Sequence, residues 1–398
     1  MGAIEWGQWI RPEMPENRGR GIGVVGAGFI VRDCHLPAYA AAGFSVRGIC
    51  SRTRERAEEL ASRMGIPRVY ESVDQLLEDE EIEVVDVAVP PAAQPAVLRR
   101  ILERGRTVRG VLAQKPLAMS LEEAKELVAA FRNRRIRLQV NQNMRYDQAV
   151  RGAKRLLERG LLGDPVLATI EMRAIPHWMP WAEGGRSLST WIMSIHHLDT
   201  FRYWLGEPAR VLASTRPDPR TVFDHFDGIN LYILEYDNGA RAAAWDDVWT
   251  GPAREGAAAD IGIRWRIEGT RGLALGTIGW PGWPQRTPST LDYTTVDEPG
   301  VWHRPRWEEA WFPDAFAGTM AGLLRALEQD REPDISGRDN LRTLALCEAV
   351  LRGAREHRVT VPRVGAVSDR GERPQAAEDG GGVDPGEGSN QPGSEASQ

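Results

Sequence analysis

This chain has little cysteine, no long apolar run and no surplus of basic charge. Its 398 residues include three cysteines, Cys34, Cys50 and Cys347, with no C-x-x-C pair. That spacing argues against a disulfide framework and a thiolate metal site, and it predicts buried free thiols in a reducing compartment. No apolar run approaches membrane-spanning length, and residues 1–20 lack a basic-then-apolar signal pattern. A cytoplasmic protein is expected. The formal net charge is -6, and seven acids against Arg370 and Arg373 after Val364 carry most of it. The rest is near neutral, so nothing favours nucleic acid as a partner. A Gly-x-Ser-x-Gly elbow and a Gly-Lys-Ser/Thr phosphate loop are both missing, which disfavours those chemistries.

What is present begins with Ile22-Gly23-Val24-Val25-Gly26-Ala27-Gly28-Phe29-Ile30. An apolar run ends in Gly26-x-Gly28 and a helical pattern follows, the opening of a dinucleotide-binding βαβ unit. Val31 stands where the third glycine of that fingerprint would be. Strand-like segments at 22–25, 45–50, 84–89, 108–113 and 137–141 then alternate with helix-like ones at 30–42, 54–64, 73–77, 93–104 and 121–134. That alternation predicts a parallel sheet covered on both faces. After residue 142 the texture becomes β-rich, with runs at 166–172, 209–215, 228–236, 241–248, 261–269 and 273–276, and closing helices at 319–329 and 337–356. The expected architecture is α/β. An arm (1–20) precedes a Rossmann domain (21–142), and an α+β domain with a large, mostly antiparallel open sheet follows (143–363). A disordered acidic tail (364–398) ends the chain.

Three constellations can carry chemistry. Ser51-Arg52-Thr53-Arg54 follows the second strand, where an acid would favour NAD; arginines there suit a 2′-phosphate. Lys115, in Ala113-Gln114-Lys115-Pro116, lies just past a strand's carboxyl end, where open α/β sheets bind ligands. Ile192-x-x-x-His196-His197-x-Asp199 sits on a helical pattern. His196 there is read as an acid/base, as one of a set of metal ligands, or as a structural cap. Adjacent histidines on a helix point about 100° apart, so no metal is expected. Twelve of fourteen tryptophans fall between Trp178 and Trp311, fitting a sheet core, a subunit interface or a sugar-stacking wall. His177-Trp178-Met179-Pro180-Trp181 is the candidate substrate loop. The strand 229–234 is apolar on both sides, which predicts a homo-oligomer.

In order and spacing these elements resemble the glucose-fructose oxidoreductase / inositol dehydrogenase (Gfo/Idh/MocA) family over Gly21–Pro362. Gly26-Ala27-Gly28-Phe29-Ile30 with His35-Leu36-Pro37-Ala38 is similar to its first βα turn and helix. Val89-Pro90-Pro91-x-x-Gln94 is similar to its Thr-Pro-Asn-x-x-His segment, and Gln114-Lys115-Pro116 to its Glu-Lys-Pro motif. Asn141–Tyr146 is similar to its interdomain segment, and Ile192-x-x-x-His196-x-x-Asp199 to its Asp-x-x-x-His-x-x-Asp helix. Ile192, Gln114 and Gln94 depart from the family pattern. The resemblance implies NAD(P)-dependent hydride transfer to or from a sugar-like or cyclitol hydroxyl or ketone, and Ser51, Arg52 and Arg54 favour NADP as the cofactor, with NAD the alternative. It implies a cofactor site from Gly26, Gly28, Phe29, Ile30, Ser51, Arg52, Arg54, Pro90, Gln94 and Lys115. It implies a substrate site from Lys115, Asn143, Arg145, His177, Trp178, Trp191, His196, His197 and Asp199. Lys115 would polarise the reacting oxygen and His196 would move the proton. The alternatives are a cofactor-retaining glycosidase or eliminating enzyme of the same family, and a non-catalytic nucleotide-binding regulator.

Overall fold

A computed structural model describes residues 6–175, 182–250, 260–282 and 284–365. The loop 176–181, with His177 and Trp178, and the tail from residue 366 on lie outside the described residues.

The first sheet is wholly parallel, in the order β3-β2-β1-β4-β5-β6. Its strands are β1 (Ile22–Val25), β2 (Val46–Cys50), β3 (Arg68–Tyr70), β4 (Val84–Val87), β5 (Gly110–Ala113) and β6 (Arg137–Val140). β1, β4 and β5 are buried along their whole length, as expected for strands with helices on both faces. After the short arm helix α1 (Trp6–Ile10), the crossovers are α2 (Leu36–Ala42), α3 (Arg54–Met64), α4 (Val73–Glu78), α5 (Gln94–Arg104) and α6 (Leu121–Asn133). A π-helical turn, Val31–His35, leads into α2. The expected sheet is present. β3 was not anticipated, because three residues are too few to display a period.

The second sheet has seven strands, ordered β13-β12-β11-β7-β10-β9-β8. They are β7 (Pro165–Ala174), β8 (Arg210–Arg216), β9 (Ile229–Glu235), β10 (Arg241–Val248), β11 (Gly262–Gly269), β12 (Gly272–Ile278) and β13 (Thr290–Thr295). Only the β7–β10 pair is parallel. β13 escaped the sequence reading because its threonine-rich stretch lacks a strong apolar alternation. Burial alternates along β10: Ala242, Ala244, Asp246 and Val248 are covered, whereas the residues between them are half-buried. Helices α7 (Gln148–Glu158), α9 (Ile195–Leu205) and α11 (Gly337–Glu356) pack against this sheet. The short α8 (Ala182–Gly185) and a π-helical turn, Thr190–Ser194, precede α9.

Helix α10 (Trp311–Glu328) returns to the first sheet and packs on β5 and β6. There the Leu323 and Leu327 side chains come within 3.2 Å of where a Cβ at Gly110 would stand. The α1 end of the arm rests on α7, with the Trp6 ring 5.8 Å from Tyr293.

A buried ion network locks α9 in place. Arg145, in the turn Asn143–Tyr146 after β6, donates to Asp199 at 2.6 and 2.7 Å and to Asp339 at 2.9 Å. Arg202 donates to Asp339 at 2.8 Å, and the Thr343 hydroxyl donates to Asp199 at 2.7 Å. Thus the turn leaving the first sheet, α9 and α11 share one set of charges, with Asp199 only 1% exposed. Removing one partner of such a set strands the others without water, a loss of about 3–5 kcal/mol. Asp199→Ala is expected to lower unfolding free energy by that amount in urea titration. A loss below about 1 kcal/mol would show that α9 is held by packing alone.

Candidate active site

One cavity of about 760 Å³ lies along the carboxyl ends of the first sheet's strands and reaches α9 and α10. Its floor begins at the β1 corner. Gly26 has φ +123°, and a Cβ there would stand 2.3 Å from the Ala88 carbonyl oxygen, so only glycine lets the chain turn so close to β4. Gly28 differs: nothing lies within 4 Å of where its Cβ would be, and it borders the cavity. That open cradle sits at a helix N-terminus, whose amides and dipole suit a phosphate. The residues present therefore fit a dinucleotide.

At the end of β2, Ser51, Arg52 and Arg56 line the wall. Arg54 does not. It donates to Glu58 at 2.7 Å and to Glu71 at 3.0 Å, which neutralises the acid bordering the same wall. Among the described residues Arg52 and Arg56 form no ion pair. Two residues along a helix rotate a side chain by about 200°, so the arginine aimed at the cavity is Arg56 rather than Arg54.

Three strands away, Lys115 stands past β5. Its loop is fixed by Gln94, which is fully buried. The Gln94 Nε2 donates to the carbonyls of Gln114 (2.7 Å), Pro116 (2.9 Å) and Leu117 (3.1 Å), and its Oε1 accepts from the Gln114 amide at 2.8 Å. Gln94 thus shapes the corner that carries the lysine and does not line the cavity, whereas Pro90 does. The Lys115–Pro116 bond is cis.

The Lys115 amine donates to the Ile192 carbonyl oxygen on the π-helical turn leading into α9. Burial, with no carboxylate beside it, pulls its pKa down to about 7, opposed weakly by Cys347. His196 borders the same cavity, with its ring edge-on to Trp311 at 5.6 Å. Its Nδ1 is buried without a hydrogen-bond partner among the described residues, so Nε2 is the nitrogen left for a ligand. Burial first, then Lys115 and His197, push the His196 pKa well below the ordinary value. Ile192, where an orienting acid would stand, supplies only its carbonyl. Asn143 also lines the wall and accepts from the Trp311 indole N–H at 2.8 Å.

The structure thus brings Gly26, Gly28, Phe29, Ile30, Ser51, Arg52, Pro90, Lys115, Asn143 and His196 to one cavity. Of the other expected residues, Arg54 pairs with surface acids, His177 and Trp178 lie outside the described residues, and Gln94, Arg145, Trp191, His197 and Asp199 stand behind the wall. Arg145 and Asp199 neutralise each other in the ion network. His197 Nδ1 stands 2.9 Å from Asp246 Oδ1, both fully buried. Trp191 is 5% exposed and in the core. Residues the sequence reading did not single out complete the wall: Arg56, Ser72, Trp280, Trp311, Phe312 and Phe316. Only the helical phase of Arg56 was legible beforehand. Among the described residues no three His, Cys, Asp or Glu side chains cluster as metal ligands, and no helix is long and apolar enough to cross a membrane.

Comparison with known proteins agrees with this geometry. Residues 20–142 match the model described as "Oxidoreductase family, NAD-binding Rossmann fold", and residues 150–275 match the GFO/IDH/MocA C-terminal domain. The chain is 25% identical over 343 residues to D-apiose dehydrogenase of Paraburkholderia graminis, covering 84% of this chain and 88% of that protein. It is 26% identical over 346 residues to 1,5-anhydro-D-fructose reductase of Ensifer adhaerens, covering 83% and 95%. An oxidoreductase from Agrobacterium radiobacter, solved with NAD+, L-tartaric acid and magnesium, shares the fold with a TM-score of 0.71 at 24% identity, covering 87% of this chain and 98% of that one. Two matched domains in the expected order, and relatives spanning most of the chain, identify it: this protein belongs to the GFO/IDH/MocA family of oxidoreductases.

Proposed function

We propose that this chain is an NADP-preferring oxidoreductase that interconverts a secondary hydroxyl and a ketone on a sugar-like or cyclic polyol. The observation that carries the reading is the single cavity joining Ser51, Arg52 and Arg56 to Lys115 and His196. β2 and β5 lie three strand steps apart, about 14 Å at the usual spacing. An extended dinucleotide bridges such a crevice at the reversal of strand order, between β1 and β4. D-apiose dehydrogenase and 1,5-anhydro-D-fructose reductase, by their names, act on small oxygenated carbon skeletons. The walls of Trp280, Trp311 and Phe312 suit the C–H face of such a ring.

A bound nicotinamide cofactor supplies the hydride donor or acceptor. The protein must hold the reacting oxygen and manage its proton. His196, kept neutral by its surroundings, presents Nε2 as a hydrogen-bonding partner to the hydroxyl. Lys115 is the group whose charge changes near neutrality, so in oxidation its neutral amine takes the hydroxyl proton as the carbonyl forms. In reduction its ammonium returns that proton. The sequence reading gave the proton to His196. Burial without a carboxylate behind the imidazole is what shifts the role to Lys115. The aromatic walls keep bulk water from the two groups and strengthen both interactions.

The sign of the pH dependence follows. Below the Lys115 pKa of about 7 the amine is already protonated and cannot accept. Oxidation is therefore expected to rise with pH through about 7, and reduction to fall. The chain has only three lysines, Lys115, Lys125 and Lys154, so NMR of reductively 13C-methylated protein resolves each. A Lys115 midpoint near 7 that vanishes in Lys115→Arg is the expected result; a midpoint above about 9 would return the proton to His196.

The cofactor preference has its own test. Arg52 and Arg56 each offer a guanidinium with no ion pair among the described residues, and a charge-assisted contact is worth about 1.5–3 kcal/mol. Arg52→Ala or Arg56→Ala is expected to weaken NADP about 10- to 150-fold while changing NAD little in titration calorimetry. Equal losses for both cofactors would show that these arginines do not select the 2′-phosphate, and no loss for either that they face solvent.

A homo-oligomer is also part of the reading. Leu231 and Ile233 are 46% and 44% exposed on the uncovered face of the second sheet, beside Trp245 and Leu212. Light scattering should give a dimer or larger assembly, and Leu231→Asp with Ile233→Asp should give monomers. A wild-type monomer at micromolar concentration would remove this part of the proposal.

A further inference from the structure

Behind the lysine corner lies a buried polar group that the reaction does not itself require. His35, in the last position of the π-helical turn after β1, is fully buried, and so is Asp86 on β4. The His35 Nδ1 stands 2.6 Å from Asp86 Oδ2, and the Tyr39 hydroxyl donates to the same oxygen at 2.9 Å. On the other side of the ring, His35 Nε2 stands 2.9 Å from Gln114 Nε2 and 3.0 Å from Asn141 Nδ2.

The orientation of the Gln114 amide is fixed by a separate bond, because its Oε1 accepts from the Lys115 backbone N–H at 3.2 Å. Its NH2 must therefore face His35, as a donor. A donor can face an imidazole nitrogen only where that nitrogen carries a lone pair, so Nε2 is unprotonated. The proton then sits on Nδ1 and is donated to Asp86. Asn141 Nδ2 shares the approach to Nε2 at 3.0 Å. An acidic side chain at position 114 would present an acceptor and require the opposite protonation of Nε2. The glutamine found here and the histidine are thus matched to each other.

We infer that His35 is a positioning residue for Lys115: anchored to Asp86 through Nδ1–H, it accepts the Gln114 amide on Nε2 and so sets the corner from which the lysine reaches the substrate. This rests on the proposed role of Lys115. Gln94 holds the backbone of residues 114–117 from one side. His35 holds the Gln114 side chain from the other, and that side chain in turn holds the Lys115 N–H. The lysine lies between two amide clamps, Gln94 buried and Gln114 half-buried, and the Gln114 clamp ties the corner through His35 to the turn that follows β1.

Two substitutions separate positioning from plain packing. His35→Asn keeps a donor near Asp86 and removes the acceptor for Gln114. His35→Gln places an acceptor near the Nε2 position and gives up the donor to Asp86. His35→Asn loses the two contacts at Nε2, and His35→Gln loses the bond to Asp86 and strands a buried carboxylate, so His35→Gln should be the less stable of the two. A purely structural role therefore predicts that His35→Gln is also the slower. Positioning predicts that single-turnover hydride transfer slows about 10- to 100-fold in His35→Asn, with cofactor Kd unchanged, and stays within about 3-fold of wild type in His35→Gln. If stranding the Asp86 carboxylate prevents His35→Gln from folding, the His35→Gln/Asp86→Asn double variant takes its place with the same expected rate. A second readout needs no turnover: in 13C-methylated protein the Lys115 resonance should move in His35→Asn and hold its place in the glutamine variant, with Lys125 and Lys154 as internal references. Equal rates and equal Lys115 shifts in the two variants overturn the inference. Wild-type protein that transfers no hydride to or from any polyol or ketone overturns the proposed function instead, while the Lys115 resonance still decides the positioning claim.

Discussion

The constraint on which the site depends is an amine buried without a carboxylate. Among the described residues Lys115 reaches the Ile192 carbonyl oxygen and no acid, so its charged form is disfavoured and its pKa falls to about 7. A drop from 10.5 to about 7 is on the order of 5 kcal/mol against folding when the amine is protonated. The sign is that of a group whose folded pKa is depressed by burial: the full cost applies below pH 7 and fades as pH rises toward the ordinary lysine value. A fold tolerates that only if the corner is held by other bonds. The Gln94 clamp, the His35–Gln114 contact and the Arg145–Asp199–Asp339 network supply them around the same few residues. Each ties the corner through buried hydrogen bonds that do not involve the Lys115 amine.

Ile192 acquires a physical meaning in this setting. A carboxylate four residues before His196 would lie beside both the imidazole and the lysine. It would raise both pKa values and keep the amine charged. With isoleucine there, the turn presents only a backbone carbonyl, which accepts a hydrogen bond without bringing a full charge. The same replacement leaves His196 Nδ1 without a partner and keeps the ring neutral. Under the proposed function, isoleucine at this position shifts the proton from the histidine to the lysine and does not by itself remove the chemistry.

Much of this was legible in the sequence, for identifiable reasons. The Gly26-x-Gly28 corner is local, because a turn with positive φ and close backbone contact is written in two glycines. Lys115 and His196 were legible because the end of a strand and the face of a helix place them, whatever the long-range packing. Arg145, Asp199, His197 and Gln94 were expected at the ligand and stand one layer behind it. A sequence shows that a polar residue falls near a site, but not whether its partner is a ligand or another buried side chain. Arg145 and Asp199 find each other across 54 positions, and Asp339 joins from α11. The walls from Trp280, Trp311 and Phe312 were hidden for a related reason. Trp311 and Phe312 stand at the start of α10, a helix that returns from the second half of the chain to cover β5 and β6.

That return explains why the two halves act as one site. The dinucleotide sheet provides the glycine corner, the arginines and the lysine. The α10 helix closes the aromatic side from a position that also packs on the first sheet, while α9 brings His196 from the helical layer of the second. Because Lys115 bonds to the turn before α9, and Arg145 beside β6 bonds to Asp199 within α9, any shift of one sheet against the other must move the lysine and the histidine together or break a buried bond. Under the proposed function that coupling matters, because a proton acceptor and an oxygen-binding group must keep a fixed separation, whereas aromatic walls need only exclude water and admit a ring.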